Sequence, residues 1–163
     1  MLELVAEHGM AGVSHRTVAQ AAGVPLGSTT YYFDSLDDLL AGALERLVDD
    51  YEATLRAWAE PLAGTDGPAL ASAVADLVAD YLRDRRRARM EYALCVAAMD
   101  RPALRPAAAR YTAVSVDAFG TLVPRPVAVA LTAAVDGFLV EALVAPEPLD
   151  RAAVEAAIAA ILG

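Results

Sequence analysis

Lysine is absent. All thirteen basic side chains are arginine, which reads as a bias of the coding DNA. There is one cysteine, Cys95, so no disulfide can close within the chain, and a reducing cytoplasm is the expected setting. Only two histidines occur, His8 and His15. With Cys95 they are the whole stock of usual nucleophiles and bases beyond hydroxyls and carboxylates. No metal-ligand spacing, glycine-rich phosphate loop or nucleophile elbow accompanies them, so the sequence predicts neither an enzyme nor a metal or cofactor. No stretch is read as approaching the ~18 apolar residues of a membrane span. The opening MLELVAEHG lacks the basic region and long apolar core of a signal peptide. Neither a membrane partner nor a secreted location is expected. No strand alternation, repeat or low-complexity tail stands out.

What is present favours helices. The apolar fraction is 57%, aromatics are only 6%, and alanine dominates, a residue that gives up no side-chain entropy in a helix. The fold class predicted is all-α. The net charge is −9. Within the first fifty residues Arg16 and Arg46 stand against eight acids, which leaves −6. Yet no acid lies between Gly9 and Phe33.

That acid-free interval has its own pattern, continued to Leu40: SHRTVAQAAGVPLGSTTYYFDSLDDLL. Ser14 can cap a helix by accepting a free amide of the opening turn. Val18, Ala21 and Ala22 recur at spacings of three and four and form its apolar side. Gly23 suits the left-handed residue at which a helix ends, and Val24 is expected to pack inward. Leu26 to Tyr32 can form a second short helix, and Ser35 can cap a third. This is a helix-turn-helix, in which one helix braces and the next enters a DNA major groove.

The stretch AAGVPLGSTTYYFDSLDDLL resembles the turn, recognition helix and following helix start of TetR-type transcriptional regulators. Gly9, Gly12 and Thr17-Val18-Ala19 also fall where that family has its short links and first DNA helix. The detailed match covers about the first quarter of the chain. The resemblance implies DNA contacts at Ser14, His15, Arg16 and Thr17, which open the bracing helix. It also implies contacts at Leu26, Gly27, Ser28, Thr29, Thr30, Tyr31 and Tyr32 in the recognition helix. Arg16 can grip phosphate or guanine with two donors; the bland alternative is a solvated arginine. His15 is either a contact or an exposed residue without a role. Tyr31 and Tyr32 would reach phosphates through their phenol oxygens, unless one packs under the helix. Phe33 is read as core. Two departures stand out: Thr30 replaces a common Tyr, and Leu36 replaces a Lys that helps hold a phosphate. The opening helix, Leu2 to His8, starts almost at Met1, where family members begin earlier: either the true start lies upstream, the preferred reading, or this first helix is trimmed.

Beyond it lies a helical body. The division predicted is 1–40 for DNA binding, with a truncated first helix, and 41–163 for ligand binding and dimerisation. Ser35 to about Glu60 reads as one helix, and Ala69 to about Arg87 as another. Arg89 to Met99 and Ala107 to about Val123 follow. A helix of about twenty residues opens at Pro124 and Pro126, and Asp150 caps the last. The resemblance implies an internal small-molecule pocket, with Trp58, Tyr81, Met90, Glu91, Tyr92, Cys95, Met99, Phe119 and Phe138 as candidates. Each has plain core packing as its alternative, and Glu91 can instead pair with a nearby arginine. The last two helices are richer in apolar surface than one small body needs. Leu131, Val135, Phe138, Leu139, Leu143, Val154, Ile158 and Ile161 are therefore predicted at a twofold dimer interface that forms a four-helix bundle. Asp136, before Gly137, looks like family packing there. The arginines 83, 85, 86, 87 and 89 are read as a solvated helix end that Asp80 and Asp84 help neutralise, not as a nucleic-acid patch.

The function these readings imply is a DNA-binding transcriptional regulator: a homodimer on a palindromic double-stranded operator, released by a small-molecule effector, and a repressor by what the resemblance alone implies. A second reading is a ligand-binding homodimer whose DNA binding is weakened or lost. The acidic first fifty residues, the short opening helix and Leu36 motivate it.

Overall fold

A computed structural model describes Leu4, Val5 and residues 12–163. The proposed stop of the opening helix at Gly9, its truncation and His8 lie outside those residues. Among the described residues the chain is helical, without strands. The bounded α-helices run α1 His15–Ala22, α2 Leu26–Tyr32, α3 Leu36–Ala59, α4 Gly67–Tyr81, α5 Arg85–Ala97, α6 Arg105–Gly120, α7 Arg125–Val144 and α8 Arg151–Leu162. The chain divides into two compact units that are not consecutive segments. One comprises Met1–Asp50 and Arg86–Arg110, the other Tyr51–Arg85 and Tyr111–Gly163.

In the first unit, Val13, Val18, Ala19, Leu39, Leu40, Leu44, Leu47 and Val48 are buried, followed along the chain by Ala88, Met90, Leu94 and Leu104. The apolar side of α1 is therefore Val18 with Ala19; Ala21 and Ala22 are exposed, and so is Val24. Phe33 is half-buried and needs Gly42, where a Cβ would come within 3.3 Å of Phe33 Cε1. Ser35 starts α3 as predicted. Its Oγ accepts the Asp38 N–H at 3.1 Å, and Asp37 and Asp38 lie in the first turn, where the helix dipole favours negative charge.

In the second unit α4, α7 and α8 pack on one another. Asp66 caps α4 and Asp150 caps α8 through backbone amides. Arg151 ties α8 to α4. It donates to Asp76 at 2.6 Å and to Ser72 Oγ at 2.8 Å, and pairs with Glu155 at 2.5 Å. The guanidinium holds the Asp76 carboxyl below the usual aspartate range. The helix expected to run to Arg87 ends at Tyr81 instead. A 3-10 turn over Leu82–Asp84 intervenes, and Arg85 opens α5. Arg85 explains the break: it donates to the carbonyls of Ala142 (2.7 Å) and Ala145 (3.4 Å), groups that the end of α7 leaves without helical partners.

Among the described residues one helix, α7, is long and apolar enough by length and composition to cross a membrane, which the sequence reading had not recognised. Its buried face is Ala128, Leu131, Thr132, Val135, Leu139, Ala142 and Leu143, so α7 packs as a core helix.

Candidate nucleic-acid interface

The site is built on the start of α1 and the whole of α2. Ser14 and Thr17 form a reciprocal capping box. The Thr17 N–H donates to Ser14 Oγ at 3.2 Å, and the Ser14 N–H donates to Thr17 Oγ1 at 2.9 Å. The Thr17 hydroxyl lies within 3.1 Å of both the Gly12 and the Ser14 carbonyl oxygens. Thr17 therefore fixes the helix start rather than reaching outward. Arg16, between these caps, is exposed, and His15 is half-buried.

Gly23 closes α1 at φ 65°, ψ 27°. Its N–H donates to the Gln20 carbonyl and the Val24 N–H to the Ala19 carbonyl, the paired bonds of a Schellman motif. Pro25 then precedes α2, its extended backbone separating the two helices.

On α2, Leu26, Gly27, Thr30, Tyr31 and Tyr32 are exposed and Ser28 is half-buried. Tyr31 is 80% and Tyr32 76% accessible, so neither packs under the helix. Their rings meet edge to face, centroids 5.1 Å apart. Thr29 corrects the sequence reading. It is 8% exposed, and its hydroxyl spends its one hydrogen on the Leu26 carbonyl at 2.9 Å, so it is turned away from the exposed surface of α2. The same oxygen lies 3.5 Å from the His15 carbonyl oxygen, so the side chain is packed between α2 and the start of α1. A threonine at that position docks one helix on the other.

Charge around the site is arranged by ion pairs that sequence reasoning missed. Arg101 pairs with Asp37, and Arg110 with Asp49 at 2.7 Å. Each joins α3 to a residue more than sixty positions away, so no local spacing announced it. Arg46 pairs with Asp50 at 3.3 Å.

The pocket candidates fall in different units. Met90, Glu91, Tyr92, Cys95 and Met99 belong to the first; Trp58, Tyr81, Phe119 and Phe138 belong to the second. Met99 is 73% exposed just past the end of α5 and lines no interior, a correction. Glu91 is buried and accepts from Arg87 Nε at 2.6 Å, the arginine pairing the sequence allowed. In the second unit Trp58 meets Phe119 edge to face at 5.8 Å, and Tyr51 stacks on Tyr111 at 4.4 Å. The Tyr51 hydroxyl is hydrogen-bonded to Ser115 Oγ at 2.9 Å.

The dimer candidates also divide. Leu131, Val135, Leu139, Leu143, Val154 and Ile158 are buried within their own chain, where α7 and α8 turn this face inward. A buried side chain has no surface left for a partner, so these six are corrected to core. Phe138 and Ile161 are half-buried. The outward face of α7 is instead Val129, Ala133, Gly137, Val140 and Val144, and that of α8 is Ala152, Ala153, Ala156, Ala159 and Ala160. Their signal in the sequence was small residues at spacings of three and four, shadowed by the larger leucines.

Two family models match the chain. Residues 2–43 match that of bacterial regulatory proteins of the tetR family, and residues 65–163 match a tetracyclin repressor-like C-terminal domain. Comparison with curated proteins yields no match. Among solved structures, the multidrug binding protein EbrR complexed with imidazole is 34% identical with a TM-score of 0.87; the match covers 99% of this chain and 90% of that one. EbrR complexed with ethidium is 35% identical with a TM-score of 0.86, covering 98% and 92%. A TetR-family member, SCO1917 from Streptomyces coelicolor A3, is 35% identical with a TM-score of 0.84, covering 99% and 93%.

Proposed function

The chain belongs to the TetR family of DNA-binding transcriptional regulators, and from that membership we propose that it is a repressor that binds a palindromic operator as a homodimer and is released by a small-molecule effector. The observation that carries this reading is the outward surface of α1 and α2. Arg16, Leu26, Gly27, Thr30, Tyr31 and Tyr32 are all exposed on it, in a stretch free of acids. Arg16 grips phosphate or guanine. Gly27, Ser28 and Thr30 approach base edges, and Tyr31 and Tyr32 anchor to phosphates. Residues 1–40 serve DNA binding and 41–163 the ligand and the dimer. The protein acts in the cytoplasm, on DNA.

The dimer is held by the outward faces of α7 and α8, whose valines and alanines favour close helix approach in a four-helix bundle. Two copies would then set their recognition helices about 34–36 Å apart, one DNA turn. EbrR is a multidrug binding protein with structures in complex with ethidium, proflavin and malachite green. By analogy the effector here is a flat aromatic compound. The Trp58–Phe119 and Tyr51–Tyr111 pairs supply aromatic faces and edges for it. Binding that favours another helix spacing lowers DNA affinity through a coupling of about 1–3 kcal/mol.

The test is fluorescence anisotropy of the purified protein on DNA fragments flanking its own gene, across a salt series. The expected result is selective, salt-sensitive binding that Arg16→Ala removes. Absence of selective binding would favour the ligand-binding dimer without operator function, to which Leu36 at a phosphate-holding position also points.

A further inference from the structure

Arg101 stands far outside the helix-turn-helix in sequence, yet the fold carries its charge to the edge of that module. It lies between α5 and α6, and its Nη1 donates to the Asp37 carboxylate in the first turn of α3. That turn begins four residues after Tyr32 closes α2. The step between the two helices is fixed. The Phe33 N–H donates to the Thr29 carbonyl at 3.1 Å, the Phe33 ring lies against Gly42, and Ser35 caps α3. Arg101 is thereby tied to the segment that follows the exposed Tyr31 and Tyr32.

The loop that presents Arg101 is firmly built. The Arg101 N–H donates to the Ala97 carbonyl at 3.0 Å, and its carbonyl accepts the Leu104 N–H at 3.1 Å. Leu104 is fully buried. Arg105 donates to the Ala98 and Met99 carbonyls, both at 3.2 Å. These residues and Asp37 belong to the same compact unit. Stability alone gives little reason for the pair, since Arg101 is 33% and Asp37 38% accessible, and an ion pair so exposed adds little. The same exposure lets an anion reach the guanidinium. An arginine fork has five N–H donors, and Asp37 is met through Nη1. Asp37 orients the fork, and its other edge suits a phosphate, which can accept two parallel N–H bonds. Charge calls for such a donor here. Asp34, Asp37 and Asp38 follow directly on α2, while Arg16 is the one cation from Gly9 to Phe33.

We propose that Arg101 binds a phosphate of the operator beside the start of α3, a cation brought to the helix-turn-helix from outside it. The proposal rests on the DNA-binding reading above and deepens it. The contact positions the module and reads no base. Because its charge is shared with Asp37, Arg101 releases less counterion than Arg16 does.

Anisotropy of the full chain on operator and on non-specific DNA, across a salt series, tests this, with helicity of each variant checked by circular dichroism. Arg101→Gln keeps a donor for Asp37 but no charge. It is expected to weaken both DNAs about tenfold, the size of one hydrogen bond to a charged group, and to lower the salt slope by less than about one. Arg101→Lys, which keeps the charge without the fork, retains the slope and part of the affinity. In an Asp37→Asn background the arginine charge is unshared, so the same Arg101→Gln step still weakens binding and lowers the slope by about one. If Arg101 merely neutralises Asp37, that step changes nothing in this background, and the contact is refuted. Methylphosphonates placed singly along the operator give a second readout. One such neutralised phosphate in a half-site should weaken the unaltered protein about tenfold and Arg101→Gln no further. Finding no phosphate whose effect depends on Arg101 overturns the proposal. Unchanged affinity in Arg101→Gln, with Arg16→Ala still weakened, refutes the contact and leaves the regulator reading standing. No DNA binding by the unaltered protein defeats the regulator reading, and the contact with it.

Discussion

Replacing Gly23 isolates the role of one backbone conformation in the DNA-binding module. Gly23 sits at φ 65° between α1 and α2, yet a Cβ built there meets no atom within 4 Å. Gly23→Ala therefore creates no clash, and its effect is the left-handed penalty of about 1–2 kcal/mol. Stiffening of the unfolded chain does not cancel that penalty at positive φ, so a net loss of about 1 kcal/mol is expected. Gly23→Asn should lose less, because asparagine tolerates this region. Urea unfolding at fixed protomer concentration reads the difference, with a midpoint shift of roughly 0.5 M for a slope of about 2 kcal/mol/M. A loss above about 3 kcal/mol would mean that a side chain here is not accommodated, against the open space observed. No loss, or Asn worse than Ala, would refute the left-handed cap as the element that ends α1.

The Arg151–Asp76 pair predicts a pH dependence. The Asp76 carboxyl is held below its ordinary value chiefly by its hydrogen bond from Arg151, so its contribution is present above the unfolded pKa of about 3.9 and fades as pH falls through the lower folded value. The stability difference between the protein and Asp76→Asn should be constant above about pH 5 and vanish in acid; a difference that grows on acidification would contradict the sign. At the proposed dimer face, Val140→Arg sets like charges against each other across a twofold axis. It should weaken association by about 2–3 kcal/mol, roughly a hundredfold, in sedimentation equilibrium without lowering helicity. Ile158→Arg, which buries a charge, should unfold the chain instead.

Local signals carried far in this sequence. Ser14, Gly23 and Ser35 each act through atoms within five residues, and each stands where the one-dimensional pattern placed it. Facing was harder. In LGSTTYY three adjacent small polar residues look alike, and which one turns inward depends on where α2 rests on α1. Thr29 does, and no spacing within seven residues could say so. Alanines caused the parallel error on α1, because Ala19, Ala21 and Ala22 differ in burial but not in chemistry. On α7 both faces are largely apolar, and past Arg125 only Asp136 and Glu141 mark the boundary between core and surface. The leucines looked suited to an interface because they are large. Size instead fitted them to the core, and the smaller Val129, Ala133, Gly137, Val140 and Val144 were left outside.

The acidity of the first fifty residues is the main objection to DNA binding, and the fold changes its weight. Counting along the chain assigns −6 to those residues because it looks only at neighbours in sequence. The compact unit that contains them also includes Arg86–Arg110, with six arginines against Glu91 and Asp100, a contribution of +4. The unit as a whole thus carries −2, and the remaining −7 of the chain lies in the other. Three of the acids among the first fifty residues are held in ion pairs, Asp37 by Arg101, Asp49 by Arg110 and Asp50 by Arg46. Asp37 matters most, since it follows Leu36, where family members commonly place a phosphate-holding lysine. Arg101 offsets that carboxylate from outside the helix-turn-helix. Under the proposed function, phosphates approaching α2 would meet Arg16, backbone amides and hydroxyls, with Asp37 paired but the exposed Asp34 just past α2 still opposing them. The charge available for counterion release is still small, because Arg16 is the one cation between Gly9 and Phe33. Modest affinity, with its salt sensitivity carried largely by Arg16 and specificity resting on shape and neutral hydrogen bonds, is what such a surface should produce.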